Sequence, residues 1–151
     1  MYPRILLFLM AFVGISGFLV GFALELLEHF PACILCHVER WIFLAGGIAS
    51  FFAGLWWPRF SSKLACGVAC FTWLGGSAVA LYHSAIQFHL LPLPHFCTIQ
   101  EADSLDSFLK TSSISCDQRS LELFGIPVPL YLAALFTVYA LLCLRMMRKK
   151  S

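Results

Sequence analysis

Four stretches of the chain carry no charged side chain: Ile5–Leu24, Trp41–Trp57, Leu64–Tyr82 and Ile126–Leu144. Each holds 17 to 20 residues. At about 1.5 Å rise per residue, a helix of that length is about 26 to 30 Å long, close to the hydrocarbon thickness of a bilayer. The pattern predicts an all-α membrane protein, a bundle of four transmembrane helices over about 5–24, 41–57, 64–82 and 126–144. Two longer segments, about 25–40 and 83–125, are then loops on one side. The first stretch exceeds the roughly 7 to 15 residues of a signal-peptide core and no small-x-small site follows it, so it is expected to remain as a span. Without an internal repeat or low-complexity linker, 1–151 reads as a single domain.

Composition strengthens the membrane reading: 60% of residues are hydrophobic and 12% charged, outside the balance of a soluble domain. The net charge of +2 averages two unlike faces. Arg4, Arg59, Lys63, Arg145, Arg148, Lys149 and Lys150 fall on the side of the termini. Arg40, Lys110, Arg119 and all 8 acidic residues fall on the other. Basic residues collect on the cytoplasmic side of membrane proteins, so both termini are expected there and both loops outside. The basic tail suits anionic lipid heads, and nothing in the pattern points to nucleic acid.

The second loop is long, rich in Ser and Asp and punctuated by Pro92 and Pro94; loops of that length are usually functional. Within it, Leu105, Phe108 and Leu109 are spaced either as a loose turn or as a short helix in the membrane interface.

Seven cysteines sort by side. Cys66, Cys70 and Cys143 lie in the third and fourth spans, where a thiol serves as a small apolar filler. Cys33, Cys36, Cys97 and Cys116 lie in the outer loops, where an even set reads as disulfides and two pairs are available. Cys33-Ile34-Leu35-Cys36 is a CxxC at the edge of the second helix. Such a pair closes a tight ring, and a helix amino end stabilises a thiolate, so it is built to open and close. Arg40 lies one helical turn beyond Cys36, on the same face. A cation near the membrane boundary needs a partner, here sought in Glu39, Glu28, a lipid head or a bound acceptor. Arg40 is expected to favour the Cys36 thiolate; the plainer reading is an arginine snorkelling to the interface.

Three other chemistries fit parts of this pattern. Cys33 to His37 also spells CxxCH, the attachment motif of c-type haem with His37 as axial ligand, but a motif abutting a span has little polypeptide to enclose a haem, and Cys97 and Cys116 stay unexplained. Zinc held by Cys33, Cys36 and His29 or His95 suits the ligand types, although an oxidising compartment disfavours free thiolates. Two inert disulfides in a structural protein would rarely require a CxxC.

Taken together, Cys-Ile-Leu-Cys-His-Val-Glu-Arg opening the second of four helices, a second cysteine pair in a long outer loop, and Phe124-Gly125-Ile126-Pro127 before the fourth helix resemble the DsbB family of disulfide bond formation proteins. Vitamin K epoxide reductase relatives share the ingredients, but their CxxC follows the loop pair rather than preceding it. The resemblance implies a bacterial inner-membrane thiol oxidoreductase, expected as a monomer, with redox-active disulfides Cys33–Cys36 and Cys97–Cys116. It implies that a reduced DsbA-like periplasmic partner attacks Cys97, that Cys116 attacks Cys33, and that Cys36 faces a membrane quinone, ubiquinone or menaquinone. No metal or flavin is then needed. Arg40 would lie at the quinone, and His83, after Tyr82 at the outer end of the third helix, matches a family histidine near it; otherwise His83 is an interfacial residue satisfied by water. His37 departs from the aromatic or aliphatic residue frequent at its position.

The charge bias sets a direct test of topology. Reporter fusions at Asp103 and at Ser151 should report opposite sides of the membrane; the same side for both would end the four-span arrangement.

Overall fold

In the computed structural model, residues 2–28, 32–57, 61–97, 115–117 and 122–149 are described. Four helices dominate: α1 (Tyr2–Glu28), α2 (Ile34–Leu55), α3 (Ser61–Gln87) and α4 (Val128–Lys149). All four are long and apolar enough to cross a membrane. The helices overrun the charge-free stretches, and the segment between α1 and α2 shrinks from the expected 25–40 to 29–33. Charge marks where hydrocarbon ends, whereas a helix continues as long as its charged side chains find partners. Glu25, Glu39 and Arg40 find them on neighbouring helices, and so are helical. The stretch around Leu105, Phe108 and Leu109 lies outside the described residues.

The bundle is inverted relative to a soluble fold. Phe12 (71% exposed) and Phe71 (80%) stand outward in mid-helix, where lipid tails cover them. Inside, Trp73 and Phe136 are fully buried. Their rings lie 5.4 Å apart, and Phe43 approaches Phe136 at 4.8 Å edge-on, joining α2, α3 and α4 through favourable aromatic geometry. The one polar atom of the Trp73 ring donates to Ser50 Oγ at 3.2 Å, so its burial costs no unmet hydrogen bond. Cys66, Cys70 and Cys143 pack into this same core as the expected small fillers.

Each helix packs mainly on its neighbour in sequence: α1 on α2, α2 on α3, α3 on α4. Between α1 and α2 the contact is backbone to backbone. A Cβ on Gly14 would stand 2.7 Å from the Gly47 Cα and 2.8 Å from the Phe43 carbonyl oxygen. Small residues permit such approach where lipid supplies no hydrophobic drive for association. Before α4, β1 (Glu122–Leu123) and β2 (Ile126–Pro127) form a minimal antiparallel hairpin. Its turn residues Phe124 (φ 55°) and Gly125 (φ 77°) are both left-handed, as the type I′ form of a two-residue hairpin turn requires. Tyr131 of α4 donates its hydroxyl to the Leu123 carbonyl at 3.0 Å, tying the hairpin to the helix.

Gly14→Ala must push α1 from α2 and should lower stability by about 1–3 kcal/mol, the usual cost of overpacking. Gly67→Ala and Gly75→Ala meet nothing within 4 Å and should be neutral or slightly stabilising. Denaturation in mild detergent checks both; equal behaviour of all three variants would refute the close α1–α2 contact.

Candidate functional site

Cys33 caps the amino end of α2. Its backbone is extended (φ −71°, ψ 165°), its Sγ accepts from the Cys36 amide at 3.3 Å, and its carbonyl accepts from the His37 amide at 3.1 Å. The CxxC spacing thus becomes one turn of helix, which faces both sulfurs to each other at 3.0 Å as a hydrogen-bonded thiol pair. Hydrogen bonding from Cys36 holds the Cys33 thiol down to about 4, against the upward push of burial and with further help from His83. A stabilised thiolate favours the reduced state and makes such a pair a better oxidant.

Behind Cys33 stands a polar ladder inside the bundle. His83, fully buried on α3, places Nε2 3.5 Å from the Cys33 sulfur and Nδ1 2.8 Å from Glu39 Oε1. The amide nitrogen of Gln87 lies 3.2 Å from His83 Nε2. A carboxylate can only accept, so Nδ1 carries the proton; Nε2 donates to a Cys33 thiolate when the ring is charged and presents a lone pair to a Cys33 thiol when it is neutral.

Cys97 and Cys116 are joined by a disulfide, with Cα atoms 5.3 Å apart. A short 3-10 turn, His95–Cys97, positions Cys97 after Pro94, whose carbonyl accepts from the Cys97 amide at 2.9 Å. Cys33, Cys97 and Cys116 all belong to one buried apolar cluster with Leu35 and Ile86, and Cys36 packs against it. Residues far apart in sequence thus bring both cysteine pairs to one end of the bundle.

Cys36 also looks the other way. It forms part of the wall of a cavity of about 510 Å³ between α1 and α4, lined by Gly17, Gly21 and Glu25 of α1, Glu39, Arg40 and Phe43 of α2, Gln87, and Pro129 and Leu132. The walls are apolar save for the end at Cys36 and for Ser16, whose hydroxyl donates to the Val13 carbonyl at 3.2 Å. Arg40 reaches across to α1 and forms an ion pair with Glu25, which His37 also approaches at 3.6 Å. Of the partners sought for Arg40 (Glu39, Glu28, a lipid head or a bound acceptor), Glu39 turns towards α3 and is taken by His83, the side chain of Glu28 lies outside the described residues, and Glu25 is the acid found at the guanidinium. Gly21 leaves room for the arginine: a Cβ there would stand 3.0 Å from Arg40 Nε.

Sequence reasoning missed Glu25 and Gln87 as members of the site, and weighed Glu39 only as a partner for Arg40 and not for His83. For Glu39 the signal was its place three residues after Cys36, on the CxxC face; for Glu25 it was an acid at the rim of a span. His83, expected at the quinone, touches the cavity only through Glu39 and Gln87. Of the histidines weighed as zinc ligands, His95 belongs to the 3-10 turn and His29 lies outside the described residues. The histidine grouped with Cys33 and Cys36, within 4.8 Å, is His83. Zinc with about 2.3 Å bonds to sulfur spreads two thiolates to about 3.7 Å, so the 3.0 Å approach fits a dithiol better.

A thiol pair and a disulfide sharing one apolar cluster at one end of four membrane-spanning helices define a multi-pass membrane protein of thiol–disulfide exchange. The model of the family described as "Disulfide bond formation protein DsbB" matches residues 3–146, and the chain belongs to that family. The family and four-helix expectations from the sequence are borne out. Neither the curated proteins nor the solved structures gave a match to the chain.

The lowered thiol can be titrated. The reduced protein should hold a Cys33 thiolate at about pH 6, where an ordinary thiol is protonated. Cys36→Ala should move the midpoint upward by removing the strongest contributor, read by thiolate absorbance or by alkylation rate. A wild-type midpoint in the ordinary thiol range would refute the hydrogen-bonded pair.

Proposed function

We propose that this protein reoxidises a DsbA-like dithiol partner in the periplasm and passes the electrons through Cys97–Cys116 and Cys33–Cys36 to a membrane quinone, ubiquinone or menaquinone. One observation carries the reading: Cys33 shares a buried cluster with the Cys97–Cys116 disulfide, while Cys36, one helical turn away, faces a largely apolar cavity among the membrane-spanning helices. The CxxC is thus a two-sided relay.

A partner thiolate attacks Cys97 and releases Cys116, which attacks Cys33 rather than Cys36 because Cys33 is buried within the same cluster while Cys36 only packs against it and faces the cavity. The sulfur set free is Cys36, already in the cavity wall. The cavity fits a flat acceptor head, with its charged groups, Arg40, Glu25 and Glu39, gathered at the Cys36 end and a largely apolar wall elsewhere for a lipid tail. A quinone there supplies a sink for two electrons and two protons. Arg40, oriented by Glu25, presents a fixed cation to the charge that develops on the acceptor. The basic face formed by the termini supports cytoplasmic ends in the inner membrane, and the chain acts as a single-domain monomer over 1–151.

Arg40→Ala should raise the apparent quinone KM about tenfold, the worth of one charge-assisted hydrogen bond of roughly 1.5 kcal/mol, with the partner's KM nearly unchanged. Steady-state kinetics with each substrate varied in turn, in proteoliposomes, measures this. Unaltered quinone kinetics, or a loss confined to the partner, would remove Arg40 from the acceptor site.

A further inference from the structure

We propose that His83 and Glu39 form a proton relay that takes the proton Cys33 gives up on becoming a thiolate and carries it to the cavity where the electron acceptor is reduced. The inference rests on the quinone reading above and adds the path of the protons to that of the electrons.

The balance of the reaction creates the need. When a dithiol is oxidised by a quinone, two S–H bonds break, one S–S bond forms, and two electrons with two protons end on the quinone oxygens as quinol. Cys36 lines the cavity, so its proton has a short way to go. Cys33 does not line it and is only 2% exposed; its sulfur touches Cys36 and the ring of His83. With the sulfur shut off from water, its proton needs an internal acceptor.

The geometry supplies one. Nε2 of His83, 3.5 Å from the Cys33 sulfur, takes the proton, and Nδ1, 2.8 Å from Glu39 Oε1, gives up its own. One proton thus enters and one leaves on opposite sides of a single ring, without bulk water. Glu39 is 4% exposed and forms part of the cavity wall, so it can pass the proton to the acceptor. Around the ring, α2 contributes Cys33, Cys36 and Glu39, and α3 contributes Gln87, whose amide nitrogen lies 3.2 Å from Nε2 and helps fix the ring's orientation. Arg40 cannot do this work, since a guanidinium stays protonated and this one is bound to Glu25. Thiol, imidazole and carboxylate in line are also how cysteine nucleophiles are deprotonated elsewhere.

The competing account is a buried polar pair that merely holds α2 to α3. Glu39→Gln separates the two, because its side-chain carbonyl still accepts from Nδ1 but cannot take a proton; Glu39→Asp keeps the acid. In lipid nanodiscs, the reduced protein is mixed rapidly with a short-chain quinone, in water and in deuterium oxide. Redox-induced infrared difference spectra are recorded without quinone. The relay predicts that Glu39→Gln slows the quinone-reduction phase roughly a hundredfold, the scale of a lost general acid–base group. Glu39→Asp should recover much of the rate, and the wild type should show a solvent isotope effect together with a carboxyl band that follows the redox state and vanishes in Glu39→Gln. Quinone reduction by Glu39→Gln at the wild-type rate, equal loss in the Gln and Asp variants, or a wild-type spectrum without the carboxyl band would each overturn the relay. A wild-type protein that reduces no quinone at all would instead overturn the function on which the relay rests.

Discussion

Charge buried at membrane depth must be paired, and the working end of this protein is arranged around that requirement. Glu25 with Arg40 ties α1 to α2, and Glu39 with His83 ties α2 to α3. Removing one member of such a pair leaves the other stranded in a medium that solvates it poorly, which is far costlier than never having buried the two. The pairs therefore fix how three helices face one another at the level of the CxxC. Cys33 and Cys36 inherit their directions from that arrangement, one towards the loop disulfide and one towards the cavity.

The opposite half of the bundle rests on shape instead. Phe43, Trp73 and Phe136 fill the space among α2, α3 and α4, while glycines let α1 lie close on α2. Because each helix packs chiefly on its sequence neighbour, the first and last helices leave the space between them to the cavity. The rigid aromatic core and the unfilled space beside it are complementary results of one packing order.

Much of this was legible in the residues. Uninterrupted apolar stretches located the spans because hydrocarbon tolerates few charges, and the CxxC followed by Glu39-Arg40 marked the chemically active helix end. Exact helix ends were not legible, since they depend on whether a charge finds a partner on another helix. For the same reason the pairing of Arg40 with Glu25 was not legible: adjacency in sequence favoured Glu39, whereas side-chain direction around α2 sends Arg40 to α1 and Glu39 to α3. His83 could be placed at the correct end of α3, but only the three-dimensional register shows it behind Cys33 rather than in the cavity wall. The cavity, lined by residues of all four helices, has no signature in any one of them.

The loop disulfide is more sheltered than its chemistry suggests: Cys97 is 3% exposed and Cys116 1%. Thiol–disulfide exchange requires in-line access to a sulfur, so small thiols diffusing past meet a closed surface. A protein partner that docks can use its binding energy to move the cover aside, which a tripeptide thiol cannot. Burial thereby acts as insulation. In the proposed reaction it would keep an oxidising potential connected to one kind of reductant and prevent it from short-circuiting through every thiol in the compartment.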